Sequence, residues 1–181
     1  MKKELLLFLL LVLACFSANA QWKLAPRLSL DYSAVTVYDS SANGKLVFNP
    51  DILLANRVSK NLSFGVGTGF RRVNTYDFGH MSALPLYADL TLGDELCLDL
   101  NIGYLLPINS SSTPILGGFY TRISVALKTS FDDGDEVALG AHIDLYNIFN
   151  SDKVPAYIPD GYGPIVTGLD IGLYLQYFFS L

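Results

Sequence analysis

Apolar residues alternate with small or polar ones along most of this chain, and no long apolar run breaks that alternation after residue 20. The stretch Ile165 to Phe179 shows it most clearly. Its odd positions are Ile165, Thr167, Leu169, Ile171, Leu173, Leu175, Tyr177 and Phe179. Its even positions are Val166, Gly168, Asp170, Gly172, Tyr174, Gln176 and Phe178. A repeat of two belongs to a β-strand, whose successive side chains point to opposite faces. Phe119–Phe131, Val137–Phe149 and Leu96–Ile108 follow the same rule. Trp22–Val37, Leu46–Val58, Leu62–Tyr76 and Leu84–Leu92 follow it more loosely, with Val47 and Leu53 out of phase. Eight strands are therefore expected.

Composition says where those strands sit. Hydrophobic residues make up 51% and charged residues 16%, against roughly 25% charge in an ordinary soluble domain. A helical membrane protein needs spans of about 18 apolar residues, and the chain has none after its first twenty. A net charge of −5 argues against a basic nucleic-acid-binding face. Two cysteines are too few for a zinc cluster or a disulfide scaffold. What remains is an apolar protein made of alternating strands.

Residues 1–20 read as a secretion signal. Lys2 and Lys3 supply positive charge, and Leu5 to Phe16 is an apolar stretch too short to anchor in a bilayer. Ala18-Asn19-Ala20 fits a small-x-small cleavage site, which starts the mature chain at Gln21. Val12-Leu13-Ala14-Cys15 resembles a lipoprotein box, an alternative that would place a lipid on Cys15. After the cut at Ala20, Cys97 is the one cysteine left and reads as a small interior filler.

The links carry the topology. Ser59-Lys60-Asn61, Gly93-Asp94-Glu95 and Asp132-Asp133-Gly134 read as tight turns. Longer links are expected near residues 38–45, 77–83, 109–118 and 150–164, so long and short alternate. That is the arrangement of an outer-membrane barrel, with short periplasmic turns and longer outer loops. The expected fold is all-β: an eight-stranded antiparallel up-and-down transmembrane β-barrel over residues 21–181, preceded by a cleaved signal peptide.

One face of these strands is almost uncharged, with Arg72 the exception near an outer loop. The other carries Lys23, Arg27, Asp31, Asp51, Arg57, Arg71, Asp89, Asp99, Arg122, Lys128, His142, Asp144 and Asp170. Eight strands leave an interior filled by side chains, so six bases and six acids should pair within the lumen, because an unpaired buried charge is costly. Gly65, Gly67 and Gly69 lie on the inward stripe and should make room for Tyr87, Tyr120, Tyr146 and Tyr174; a small ligand cavity there is the alternative. Aromatics cluster at strand ends. Trp22, Phe64, Phe131, Tyr177 and Phe179 mark the periplasmic girdle. Tyr38, Phe48, Phe70, Tyr76, Tyr104, Phe119 and Phe149 mark the outer one. A soluble lipocalin-like barrel would need the reverse facing. The turns also set register. Phe131 should face Asp135, which puts Arg122 opposite Asp144. Leu92 should face Leu96, which puts Asp89 opposite Asp99, with Lys128 as the cation between them.

At its last strand the chain resembles a known family. Asp170-Ile171-Gly172-Leu173-Tyr174-Leu175-Gln176-Tyr177 resembles the signal read by the barrel-assembly machinery, carried here by Asp170, Gly172, Leu173, Leu175 and Tyr177. The usual terminal Phe is displaced, since the chain ends Phe179-Ser180-Leu181. The whole strand pattern is similar to the small outer-membrane β-barrel domain proteins of Gram-negative bacteria, of the OmpX and OmpA-transmembrane-domain type. The resemblance implies location in the cell outer membrane, contact with its lipids and lipopolysaccharide, and insertion by the assembly machinery.

Little in the sequence suggests chemistry. His142 reads as a satisfied lumen residue. His80 and Ser82 have the two-residue spacing of outer-membrane lipid A deacylases, in which a His activates a Ser for attack on an ester. Their flanks differ from that family, and His80 is placed in a loop. No metal cluster, cofactor or phosphate loop is expected. The expectation is a non-enzymatic outer-membrane barrel with a filled, charge-paired lumen, serving envelope integrity or surface interaction through its outer loops. A lipid-modifying esterase and a secreted soluble binding barrel are the alternatives.

Overall fold

The computed structural model describes residues 21–37, 40–41, 45–75, 79–110, 115–150 and 165–181. The signal segment, Tyr38 and Tyr76 lie outside the described residues, as do the side chains of His80 and Phe149.

The strands are β1 (Gln21–Val37), β2 (Lys45–Ser59), β3 (Leu62–Gly69 continued by Arg71–Thr75), β4 (Gly79–Gly93), β5 (Leu96–Ser110), β6 (Ile115–Ser130), β7 (Glu136–Asn150) and β8 (Ile165–Ser180). Each pairs antiparallel with the next, and β8 pairs back onto β1, so the sheet closes. Closure removes the edges that an open sheet would leave unpaired. One short piece, Ser40–Ser41, folds back on the end of β1.

Register fixes the shape. Following directly paired residues from Lys23 leads through Ala55, Gly65, Asp89, Asn101, Arg122, Asp144 and Asp170 to Ser33. One circuit thus advances ten residues along β1. With strands ~4.8 Å apart and ~3.3 Å per residue, that stagger tilts them by roughly 40° and gives a radius of about 8 Å. Side chains from a wall of that radius meet at the axis.

Two prolines mark the breaks in the wall. Pro50 on β2 offers no N–H to β3. There the third strand is interrupted at Phe70, whose N–H still donates to the Pro50 carbonyl at 2.8 Å. Beyond it, Arg71–Thr75 pairs with β4 alone. The β1–β8 ladder likewise passes over Ala25-Pro26.

Alternation sorts the residues as expected. Leu28, Leu30, Leu86, Leu98, Ile123, Leu139, Ile171, Leu173 and Leu175 are exposed on the outside, while the intervening positions are buried. A closed barrel with this greasy wall suits lipid, and the soluble lipocalin-like alternative needs the opposite facing. Val47 and Leu53 are out of phase with that wall, as expected. Both sit at inward positions and are buried. At one rim Phe131 and Tyr177 stack at 6.3 Å, and Tyr177 lies 4.5 Å from Phe179. At the other, Tyr104 meets Phe119 edge-on at 5.9 Å.

Two expectations fail at the outer end. Residues 79–83, read as loop, belong to β4, where His80 pairs with Asn74. Residues 109–110 and 115–118 likewise belong to β5 and β6. Strict alternation of long and short links is therefore lost at the β3–β4 connection. The reason is physical. Once a strand rises past the apolar band, neither face has to be greasy, so the period-two signal disappears while the backbone pairing continues.

Candidate functional site

The chemistry of the chain faces inward, and the lumen divides into layers along the axis. At the turn end Glu136, 3% exposed, gathers three cations. Lys23 Nζ lies 3.0 Å away, Arg57 Nη1 2.7 Å and Lys128 Nζ 3.4 Å. Arg57 also reaches Asp94 at 2.8 Å, and Lys60 Nζ joins Asp94 at 3.2 Å. Outside the membrane span, the hydrogen bond from Lys60 holds the Asp94 carboxyl below its ordinary range. Lys23 donates to the Gly134 carbonyl at 2.8 Å, tying β1 to the β6–β7 turn. The alternation contains the signal for Glu136, since it shares the phase of His142 and Asp144. Beginning β7 at Val137 hides it in the turn.

The next layer holds Arg27, Asp89 and Asp99. Arg27 donates to Gln176 at 3.0 Å and to Asn101 at 3.1 Å, and its guanidinium lies 4.8 Å over the Tyr174 ring. Asn101 and Thr91 donate to Asp89. The Tyr174 hydroxyl donates to Asp99 at 2.7 Å. The expected Asp89–Asp99 opposition is corrected here. Asp89 faces Asn101 and Asp99 faces Thr91. Gly93 takes the left-handed conformation, φ +107°, and pairs with Cys97, so β5 slides past the expected register by two residues. A slide of two keeps both carboxylates inward and sets them on a diagonal. Lys128 is committed to Glu136 and does not bridge them. Cys97 is buried beside the turn, its thiol directed at the Asp94 carbonyl.

The centre is the densest part. Arg122 forks onto Asp144, Nε to Oδ1 at 2.6 Å and Nη2 to Oδ2 at 2.7 Å. The two residues stand directly opposite on β6 and β7, in the register set by Phe131–Asp135 and the left-handed Gly134. Arg71 forks onto Asp51 at 2.7 and 2.6 Å. Arg122 Nη1 lies 3.4 Å from Asp51, which links the two forks. Asp31 accepts from Ser29 and Asn49, and His142 Nε2 lies 3.0 Å from its Oδ1. The Tyr146 hydroxyl lies 2.5 Å from Asp170 and 3.1 Å from Asp144. Tyr120 stacks on Tyr146 at 5.8 Å and meets Tyr87 edge-on at 6.0 Å.

The six expected bases and six expected acids are not distributed evenly along the axis. Lys23, Arg57 and Lys128 converge on Glu136. Arg27, Arg71 and Arg122 share the interior with Asp31, Asp51, Asp89, Asp99, Asp144 and Asp170, and neutral donors join them, among them Ser29, Asn49, Asn101, Thr91, Tyr146 and Tyr174. Amides and hydroxyls interleave on the same faces as the charges, and a count of charged residues passes over them.

On the lumen side the glycine stripe is filled. A Cβ at Gly67 would strike Tyr87, one at Gly69 would strike Asp51, and one at Gly65 would strike Leu53. Only the first matches the expected Tyr partner. Tyr146 lies over Gly168 and Tyr174 over Gly140 instead.

Asp31, His142 and Asp144 present ligand atoms within 4.8 Å of one another. A cation does not fit among them. Arg122 Nη2 stands 3.2 Å from His142 Nε2 and 2.7 Å from Asp144 Oδ2, already in the place an ion would take. Ser82 is half-buried on the phase of the lipid-facing wall, and no described residue completes a nucleophile–base pair with it.

No family model and no curated protein sequence matches this chain. Solved structures do. The outer membrane protein AlkL, determined by solid-state NMR in DMPC lipid bilayers, superposes with a TM-score of 0.51 over 91% of this chain and 94% of AlkL, at 14% identity. The crystal structure of Neisserial surface protein A superposes with a TM-score of 0.50 over 86% of this chain and 97% of that one, at 10% identity. The shared feature is the fold, that of the small eight-stranded outer-membrane β-barrels.

Proposed function

We propose that this protein is an integral outer-membrane barrel whose lumen is a structural plug, and that its contribution to the cell is mechanical and interfacial. It reinforces the envelope and presents its outer loops to partners. The observation that carries this reading is the sealed lumen. Arg71, Arg122, Asp31, Asp144, Tyr120 and Tyr146 are each 0% exposed and fill the axis from every side. A radius of about 8 Å leaves no water path past two forked Arg–Asp pairs and three tyrosines. Residues 1–20 supply export, and Asp170 to Tyr177 supply the strand read during insertion.

Planar-bilayer recording tests the plug. The reconstituted barrel is expected to give no sustained conductance, and steady porin-like steps would overturn the reading. A strain lacking the gene is expected to become more sensitive to detergents and bile salts. Complementation by an Arg122→Met, Asp144→Leu double variant should restore resistance, because the plug acts through packing and not through transport.

A further inference from the structure

Among the described outward-facing strand positions, every side chain is uncharged except one. Arg72 is exposed on the outer wall. Ion pairs engage Arg57, Arg71 and Arg122, but no described carboxylate pairs with Arg72. Its backbone N–H is held by Asn49 Oδ1 at 3.2 Å, which fixes the residue at the point where β3 leaves β2. Its register partner on β4 is Ser82, half-buried and on the same outward phase. Residues opposed in this way have Cβ atoms roughly 5 Å apart. Phe48 and Phe70 flank the position and are exposed.

Height decides what surrounds this cation. Ten residues separate Arg72 from Leu62 at the turn end of β3. At ~3.3 Å per residue along a strand tilted by roughly 40°, Arg72 lies about 25 Å up the wall. The apolar band of such barrels is about 25 Å tall. Arg72 therefore stands where hydrocarbon gives way to the headgroups of the leaflet on the loop side. A lipid-facing ionisable residue is costly and marks a site with a charged partner. A guanidinium matches a phosphate with two parallel hydrogen bonds, and a serine hydroxyl one strand away adds a third donor.

We propose that Arg72, with the Ser82 hydroxyl as second donor, binds the phosphate of an anionic lipid headgroup in the outer leaflet. This rests on the reading of the chain as a membrane barrel with its longer links outward. It gives Ser82 a use that needs no ester chemistry.

The test uses vesicles of phosphatidylcholine doped with bisphosphorylated lipid A, or with the same lipid A dephosphorylated. Wild type, Arg72→Gln and Arg72→Lys are refolded into each, transferred to nanodiscs, and the retained lipid A is counted by native mass spectrometry. Loss of one cation at the surface should lower retention of the phosphorylated lipid roughly fivefold in Arg72→Gln. Arg72→Lys should recover part of it, and wild type should retain dephosphorylated lipid A no better than Arg72→Gln does. Equal retention by wild type and Arg72→Gln, or of the two lipids by wild type, overturns the site. Heat-modifiable gel migration reports insertion separately. A wild type that fails to insert overturns the membrane reading, whereas an inserted barrel without phosphate preference overturns this proposal alone.

Discussion

Gly172 shows how a single residue can carry two demands. It is the glycine of the last-strand stretch that resembles an assembly signal, and inside the barrel it is the floor beneath Asp31 and His142. A Cβ there would strike both side chains. Asp31 on β1 and His142 on β7 thus reach one another over β8, across the seam that closes the barrel. Gly172→Ala is expected to cost about 1–3 kcal/mol, the usual penalty of overpacking. Gly168→Ala should cost less, because its nearest neighbour is the Tyr146 ring at 3.1 Å. Urea unfolding in detergent micelles measures both, and an equal loss would show that the space over Gly172 is not filled as described. Arg122 gives a second residue-scale prediction. Arg122→Met leaves Asp144 buried without its fork and should cost about 3–5 kcal/mol, whereas Arg122→Met with Asp144→Leu should recover most of that loss. A double variant as unstable as the single one would contradict the pairing.

Within an element, facing matters more than residue type. On β8, Leu173 is 63% exposed to the outside and Tyr174 is 2% exposed in the lumen. Leu173→Arg should cost about 2–4 kcal/mol near the midplane, and Leu173→Ile close to nothing. Equal effects of the two in a bilayer refolding assay would overturn the assignment of faces. The β4–β5 turn makes a pH prediction. Lys60 and Arg57 hold the Asp94 carboxyl below its ordinary value, so the stability it adds is present above about pH 4 and is lost as pH falls through the lowered value. Asp94→Asn should therefore be slightly less stable than wild type at pH 7, and the difference should vanish in acid. A difference that grows on acidification would be the wrong sign.

For the molecule as a whole, the wall sets its depth in the membrane. The chain has one tryptophan, Trp22, on β1 beside the turn end and 37% exposed. Half of an apolar band about 25 Å tall places it ~12 Å from the bilayer centre. Quenching by lipids brominated at graded depths should peak for the shallowest label. A maximum at the deepest label would mean that the barrel sits at another height or that the girdle is misassigned.

Sequence alone determined the strands, their number and their facing. A period of two is local, and burial on one side of a wall imprints it on every residue the bilayer touches. It also determined the Arg122–Asp144 pair, because the Asp132-Asp133-Gly134 turn closes its hairpin with one glycine in the one place that needs it. Tertiary structure decided the rest. The Asp89–Asp99 register turned on which residue of the β4–β5 turn went left-handed, and Gly93 did so where a three-residue turn after Leu92 had been expected. The gathering of Lys23, Arg57 and Lys128 on Glu136 joins strands far apart in sequence through the ten-residue stagger of closure. The extent of β4 beyond the apolar band left no periodic trace, since backbone hydrogen bonds hold strands together without regard to which side chains they carry.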